Sequence, residues 1–227
     1  MKRKYFLLIL ILIVSSNLFA QSEYHTMTKE MQEATSPSMA LQYLKDGNKR
    51  FVDNTMHKRD YLVQVDKTSK AQYPFAIVLS CIDSRAPSEL IFDQGVGDVF
   101  NARVAGNVID EDILGSIEFA CKVTGAKLVL VMGHSNCGAV KGACDDVKLG
   151  NLTGLISKIK KVADKVEGSN RTSKNTEFVE LVARENVINS INSIREQSSI
   201  LKEMEDRGEI SIKGAMYDLE TGIVTFY

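Results

Sequence analysis

The sequence is poor in proline and cysteine and carries almost no net charge. Three prolines and four cysteines in 227 residues exclude a collagen-like repeat and a disulfide-rich scaffold. The formal net charge is -1, from 28 basic and 29 acidic side chains. Nucleic acid is therefore not expected as a partner, because a polyanion would need a basic surface. The 44% hydrophobic and 25% charged residues are ordinary for a globular protein, and the length favours one α/β domain over two small ones.

The sequence also lacks an apolar run of the roughly 20 residues that a bilayer-spanning helix needs. A shorter run at 5–14 follows Lys-Arg-Lys at 2–4 and precedes Leu-Phe-Ala-Gln at 18–21. A basic start, a short apolar stretch and a small residue before a polar one are typical of a secretory signal peptide. We predict cleavage after residue 20, export to the periplasm or medium, and no stable membrane insertion after cleavage. The alternative is a membrane anchor, for which the run is too short.

The signal peptide (1–20) is followed by a polar stretch that we predict to be a linker (21–36). A single catalytic domain is then expected over 37–227. Ser36 is a suitable N-cap and Pro37 a suitable first helical residue. These two residues predict an N-terminal helical arm that continues to about Asp53.

Short apolar runs rich in β-forming residues alternate with helical patterns along the rest of the chain. The runs predict an α/β fold with a central, mostly parallel sheet, a C-terminal hairpin strand and helices on both faces. The predicted strands are 75–80, 99–104, 127–132, 210–217 and 223–227, and the predicted helices are 113–123, 152–166, 178–194 and 199–207.

Two chemically rich segments follow the two most apolar strands. Cys81 comes directly after the first, and His134 and Cys137 come after the second. Because ligands bind at the carboxyl ends of parallel strands, both segments should meet at one edge of the sheet. Two thiolates and one imidazole suit zinc, and three protein ligands with one open position are typical of a catalytic zinc site. His134 and Cys137 can face one point if Cys137 opens the next helix.

Asp83 and Arg85 lie two and four residues beyond Cys81. In an extended segment all three side chains point the same way. The Asp83 carboxylate then has two options: it takes the fourth position on the metal, or it accepts a hydrogen bond from the metal's water. A bidentate contact from Arg85 would keep Asp83 ionised and turned from the metal. The alternative is an ion pair with a purely structural role.

The segments CIDSR at 81–85 and HSNCG at 134–138 together resemble the β-class carbonic anhydrases. Flanking matches are YLKDGNKRF at 43–51, VFNARVAGNVID at 99–110 and GAMYDLETG at 214–222. The resemblance covers most of the chain beyond the signal peptide, and as a set these segments are specific.

The resemblance implies a zinc enzyme that hydrates carbon dioxide reversibly to bicarbonate and a proton. Cys81, His134 and Cys137 would hold one zinc ion per subunit. Asp83 and Arg85 would form the catalytic dyad that orients a zinc-bound hydroxide for attack on the carbon.

The resemblance also implies substrate contacts and an assembly. Gln72 matches a family glutamine that can hydrogen-bond substrate oxygens. Phe119 stands where many members have tyrosine and could line an apolar pocket, while Gly138 lets the backbone pass close to the site. A homodimer or a dimer of dimers is implied, with the N-terminal helix on a neighbouring subunit. Since the chain has no tryptophan, the inhibitory bicarbonate site of some members is not expected.

Two other functions fit the same residues. The first is a related zinc hydrolase for another small heterocumulene such as carbon disulfide, for which only pocket access would differ. The second is a zinc-binding or redox protein without turnover. Cys121 and Cys144 are expected to be small buried residues, with a disulfide as the alternative. A carbon dioxide hydration assay separates the favoured function from both others.

Overall fold

The structure is a computed structural model and describes residues 26–227. The predicted signal peptide and the first five residues of the predicted linker lie outside the described residues. None of the helices in the described part combines the length and the apolar character that crossing a membrane requires.

A five-stranded mixed sheet forms the centre of the fold, in the order β2-β1-β3-β4-β5. The first four strands pair in parallel, and β5 pairs antiparallel to β4. This arrangement confirms the predicted mostly parallel sheet with a C-terminal hairpin strand. The strands are β1 (Ala76–Ser80), β2 (Val99–Arg103), β3 (Leu128–His134), β4 (Ser211–Tyr217) and β5 (Val224–Phe226).

Helices cover the sheet on both sides. In chain order they are α1 (Lys29–Ala34), α2 (Pro37–Val52), α3 (Tyr61–Thr68), α4 (Ser88–Ile91), α5 (Glu111–Glu118), α6 (Gly138–Cys144), α7 (Leu152–Ala163), α8 (Thr176–Gln197) and α9 (Ser199–Asp206). The arm helix α2 begins where predicted, because the Ser36 side chain accepts from the Met39 N–H and Pro37 occupies the first turn.

Alternate side chains of β1 and β3 build two separate apolar layers. Ile77 and Val129 belong to the layer packed with α5, α8 and α9. Val78 and Leu130 belong to the opposite layer, packed with α2 and α4. Both strands are therefore buried on both faces, which is why their sequences are continuous apolar runs rather than alternating ones.

β3 is longer than predicted and includes His134. Its backbone stays paired with β4 through Gly133↔Met216 and His134↔Tyr217. A Cβ at Gly133 would lie 2.7 Å from Met216 Sδ and 2.8 Å from Val187 Cγ2. Gly133, the residue just beyond the predicted strand 127–132, therefore lies inside β3 and lets α8 and β4 approach it closely.

Two predicted helices are shorter than expected. The helix predicted over 113–123 is α5 followed by a π-helical turn at Phe119–Val123. The helix predicted over 152–166 ends at Ala163. Neither change alters the topology.

The prediction of a linker is wrong from residue 29 onward, where α1 packs on the domain. Gln32 is 6% exposed, and its Nε2 donates to the carbonyls of Pro74 at 2.7 Å and Thr124 at 2.8 Å. The polar sequence predicts a solvent-exposed segment, whereas in the structure the buried Gln32 amide satisfies two backbone carbonyls. Helices α3 and α4 were also not predicted.

Candidate metal centre

Three side chains converge at the carboxyl ends of β1 and β3. Cys81 follows β1, His134 ends β3, and Cys137 is the N-cap residue of α6. One ligand atom from each lies within 4.8 Å of the other two. Their exposed fractions are 5%, 1% and 2%. The predicted convergence at one edge of the sheet is confirmed. Cys137 opens a helix, which is the condition under which His134 and Cys137 were expected to face one point.

The loop between His134 and Cys137 reverses the chain at Asn136. Asn136 has φ of 56°, a left-handed conformation that asparagine tolerates better than most residues. Its backbone N–H donates to Glu180 Oε1 at 2.8 Å, and its side-chain oxygen accepts from Lys141 Nζ at 3.1 Å. These contacts from α8 and α6 hold the reversal that turns both ligands to one point.

His134 is hydrogen-bonded through only one ring nitrogen. Nδ1 lies 2.9 Å from the Ser135 carbonyl oxygen, which can only accept, so Nδ1 carries the proton and Nε2 carries a lone pair. Nε2 is buried and has no hydrogen-bond partner among the described residues. This arrangement is typical of a metal-binding histidine: the hydrogen bond at Nδ1 fixes the tautomer, and Nε2 is left to bind the ion.

The two buried thiols lie close enough together to affect each other's pKa. The contact with the Cys137 thiol and the hydrogen bond from the Gly106 N–H, which lies 3.3 Å from Cys81 Sγ, lower the pKa of Cys81. The contact with Cys81 and burial raise the pKa of Cys137. A second buried thiolate therefore needs a bound cation. Two thiolates and a neutral imidazole are donors that zinc prefers, so these residues fit a zinc ion.

Asp83 and Arg85 form a tight pair beside the three ligands. Arg85 Nε donates to Asp83 Oδ1 at 2.9 Å and Nη2 donates to Oδ2 at 2.8 Å. The Arg85 backbone N–H also donates to Oδ1, at 3.0 Å. The Arg85 guanidinium holds the pKa of Asp83 well below its usual range. Oδ2 lies 3.8 Å from His134 Nε2, so an ionised carboxylate faces the point where the ligands meet.

Arg103 fixes the segment that carries these groups. Its Nε donates to the Cys81 carbonyl at 3.0 Å, and Nη2 donates to the Asp83 carbonyl at 2.5 Å. One side chain from the end of β2 therefore pins the backbone on both sides of Ile82. The sequence analysis missed this role, because Arg103 stood out only as part of a flanking match.

The remaining predicted substrate residues lie in different places. Gly138 is exposed at the start of α6, and a Cβ there would meet no atom within 4 Å, so open space adjoins Cys137. Gln72 is exposed and precedes β1, at the opposite end of a strand about 16 Å long from Cys81.

Phe119 is also away from the ligands. It is 48% exposed and packs edge-to-face on Phe100 with ring centroids 6.3 Å apart. It lines a separate cavity of about 490 Å³ to which none of the three ligands contributes. The structure therefore does not bring Gln72 and Phe119 to the metal centre within one chain.

The turn after β2 is a second feature that the sequence analysis missed. Gly106 has φ of 68°, and a Cβ there would lie 2.4 Å from Ile159 Cδ1. Only glycine can place its N–H against Cys81 in this turn without strain. The signal in the sequence was the Gly-Asn pair at 106–107, which is typical of left-handed turns.

Comparison with known proteins gives one consistent family. The family model described as carbonic anhydrase matches residues 76–224. Carbonic anhydrase 2 of Mycobacterium tuberculosis is 35% identical over 191 residues, which cover 83% of this chain and 91% of the relative.

Solved structures agree with the sequence match. The β-carbonic anhydrase of Aspergillus fumigatus superposes with a TM-score of 0.64 at 25% identity, over 84% of this chain and 89% of the other. A tetrameric β-carbonic anhydrase of Sordaria macrospora superposes with a TM-score of 0.64 at 23% identity, over 82% of this chain and 95% of the other. The chain therefore belongs to the β-class carbonic anhydrases, lyases whose general reaction is the hydration of carbon dioxide.

Proposed function

We propose that this protein hydrates carbon dioxide reversibly with one zinc ion per chain. Cys81, His134 and Cys137 would hold the ion, and Asp83 with Arg85 would act as the catalytic dyad. The observation that carries the proposal is the buried, unpartnered His134 Nε2, which faces two thiols within 4.8 Å and an ionised carboxylate at 3.8 Å.

Zinc bound there would supply Lewis acidity, which lowers the pKa of water enough to make it a nucleophile near neutral pH. The protein's own task is to orient that water and accept its hydrogen bond. Because Arg85 keeps Asp83 ionised, both carboxylate oxygens are acceptors only. Oδ2 is the oxygen nearer to the ligands, so it would hold the water proton and aim the lone pair at the carbon.

Arg85 acts through Asp83. Its guanidinium occupies both carboxylate oxygens along one edge, and the backbone N–H adds a third donor. The carboxylate is thereby fixed in one orientation and turned from the ion. A bidentate arginine provides this geometry, whereas a lysine would provide only a point charge.

Replacement of Arg85 tests the dyad. Arg85→Ala should reduce kcat/KM for carbon dioxide hydration by about 10² to 10⁴, the range of a lost general acid–base group, while zinc content stays at the wild-type level. Arg85→Lys should recover only a small part of the loss. Stopped-flow hydration with a pH indicator measures the rate.

Arg207 offers a matched control. Its Nε donates to Glu209 at 2.7 Å, also two residues away in sequence, on an exposed surface. Arg207→Ala removes the same kind of pair and should leave the rate unchanged. Full activity of Arg85→Ala at normal zinc content would remove the dyad from the mechanism.

We also propose a homodimer or a dimer of dimers. Gln72 and Phe119 are exposed and lie away from the ligands of their own chain, so a second copy is the means by which they could reach a metal centre. Sedimentation equilibrium tests the assembly. A monomer with full activity would contradict both the assembly and the substrate roles of these two residues.

Export through residues 1–20 is proposed from the sequence pattern alone. Expression of the full chain in a bacterial host, followed by intact mass measurement of the periplasmic fraction, tests it. Cleavage after Ala20 is the expected result, and a full-length protein confined to the cytoplasm would contradict it.

A further inference from the structure

Two buried polar side chains on α8 play no part in the chemistry described so far. Asn186 and Ser190 are both 2% exposed and lie four residues apart, hence on one helix face. Their neighbours on that face are apolar, including Val182, Ala183 and Val187. Burying an amide and a hydroxyl in such a face is unfavourable unless both are hydrogen-bonded.

Both side chains donate to the turn that follows β2. Asn186 Nδ2 donates to the Gly106 carbonyl at 2.7 Å, and Ser190 Oγ donates to the Asn107 carbonyl at 3.0 Å. This turn has two successive residues in the left-handed region, with φ of 68° at Gly106 and 44° at Asn107. Glycine adopts this conformation without strain, whereas at Asn107 it persists only where the surroundings hold it.

The other side of the same turn touches the metal centre. The Gly106 N–H donates to Cys81 Sγ at 3.3 Å. The Gly106 backbone is therefore held by the Asn186 amide at its carbonyl and donates from its N–H to the sulfur. Outer hydrogen bonds of this kind orient a ligand and tune its bond to the metal.

We propose that Asn186 and Ser190 are positioning residues for the Cys81 sulfur. They hold the Gly106 turn so that its N–H points at the sulfur, and they thereby strengthen zinc binding and set the electronic character of the metal–sulfur bond. This inference rests on the proposed zinc site.

The test measures metal binding by the purified full chain. Zinc affinity is obtained by competition with a chromophoric chelator. Cobalt(II), added as the metal alone, reports on the sulfur through its near-ultraviolet sulfur-to-metal charge-transfer band. Asn186→Ala should weaken zinc binding about tenfold, at the low end of the effect of an outer-sphere change, and should shift the band. Ser190→Ala should also weaken zinc binding, and it should shift the cobalt band in the same direction.

Matched variants separate positioning from general destabilisation. Ile194 is fully buried on α8, about two turns beyond Asn186 and one turn beyond Ser190. Ile194→Val removes one buried methyl group there and lowers the free energy of unfolding by about 0.5–1.5 kcal/mol. It should leave zinc affinity within twofold and the cobalt band in place. Ser190→Thr keeps the hydroxyl and should bind zinc more tightly than Ser190→Val, which has the same shape without it.

Each outcome decides the inference. Wild-type affinity and an unmoved cobalt band in both Asn186→Ala and Ser190→Ala would overturn it. If Asn186→Ala does not fold, the three Ser190 variants decide alone. A wild-type protein that binds no zinc would instead contradict the proposed function, so the two failures are distinguishable.

Discussion

Replacement of Gly106 by alanine should destabilise the protein through two separable effects. The left-handed conformation, with φ of 68°, costs an L-residue about 1–2 kcal/mol. The new Cβ would also lie 2.4 Å from Ile159 Cδ1, and overpacking in a filled core costs about 1–3 kcal/mol. We therefore expect Gly106→Ala to lower the free energy of unfolding by about 2–5 kcal/mol.

Ile159→Val divides the two effects because it removes the Cδ1 atom. On its own, Ile159→Val should lower the free energy of unfolding by about 0.5–1.5 kcal/mol. In that background the next neighbour of the new Cβ is Ala139 Cβ at 3.3 Å, so Gly106→Ala should cost only the backbone part, about 1–2 kcal/mol. The two substitutions should thus show a coupling energy of about 1–3 kcal/mol.

Urea unfolding of the wild type, both single variants and the double variant measures the cycle, with equal m-values as the check for two-state behaviour. Gly115→Ala in α5 is the control, since a Cβ there would meet no atom within 4 Å and the residue has ordinary helical φ. It should be neutral or stabilising. Equal losses for Gly106→Ala in both backgrounds, or a loss no larger than for Gly115→Ala, would refute the reasoning.

Two further predictions concern buried titratable groups. Burial raises the pKa of Asp98 from 3.8 to about 6, so its ionisation destabilises the folded protein increasingly as the pH rises from about 4 to about 6, and by a constant amount above pH 6. The stability gained by Asp98→Asn should therefore grow by about 3 kcal/mol from pH 4 to pH 7 in urea unfolding; a constant difference would contradict the shift. Burial raises the pKa of Cys121 to about 12, so an aromatic disulfide reagent at pH 8 should label Cys121 only after unfolding. Fast labelling of the native protein would show that this thiol is accessible.

The sheet and the ligand set were predictable because their signals are local. β1 and β3 are continuous apolar runs without alternation, which indicates burial on both faces, and parallel pairing brings their carboxyl ends together. Cys81 and His134 then meet without any knowledge of the loops. Two β-forming runs on either side of the turn at 220–222 indicated the C-terminal hairpin in the same way.

The missed features depend on contacts between distant parts of the chain. Gln32 is buried because two carbonyls more than forty residues away need a donor, and no local pattern signals this. Gly133 resembles a strand end, yet the close approach of Met216 and Val187 explains it. The Gly106 turn is fixed by Asn186, eighty residues further along the chain.

Substrate residues were the least predictable group. Gln72 and Phe119 were assigned by resemblance, and the fold of one chain keeps both away from Cys81. A single sequence does not indicate whether a residue acts within its own chain or in a neighbouring one. Gly138 differs from Gln72 and Phe119 because it directly follows the ligand Cys137 in sequence. It therefore has to lie beside the metal centre as the first residue of α6.

The central claim is that sulfur, sulfur and nitrogen hold the ion that the reaction needs. Its most direct test is elemental analysis of the purified protein paired with the carbon dioxide hydration assay, for the wild type, Cys137→Ser and the control Cys144→Ser. The account predicts one zinc per chain and rapid hydration in the wild type and the control, with both lost together in Cys137→Ser. Undiminished zinc in Cys137→Ser, or an active wild type without metal, would contradict the account.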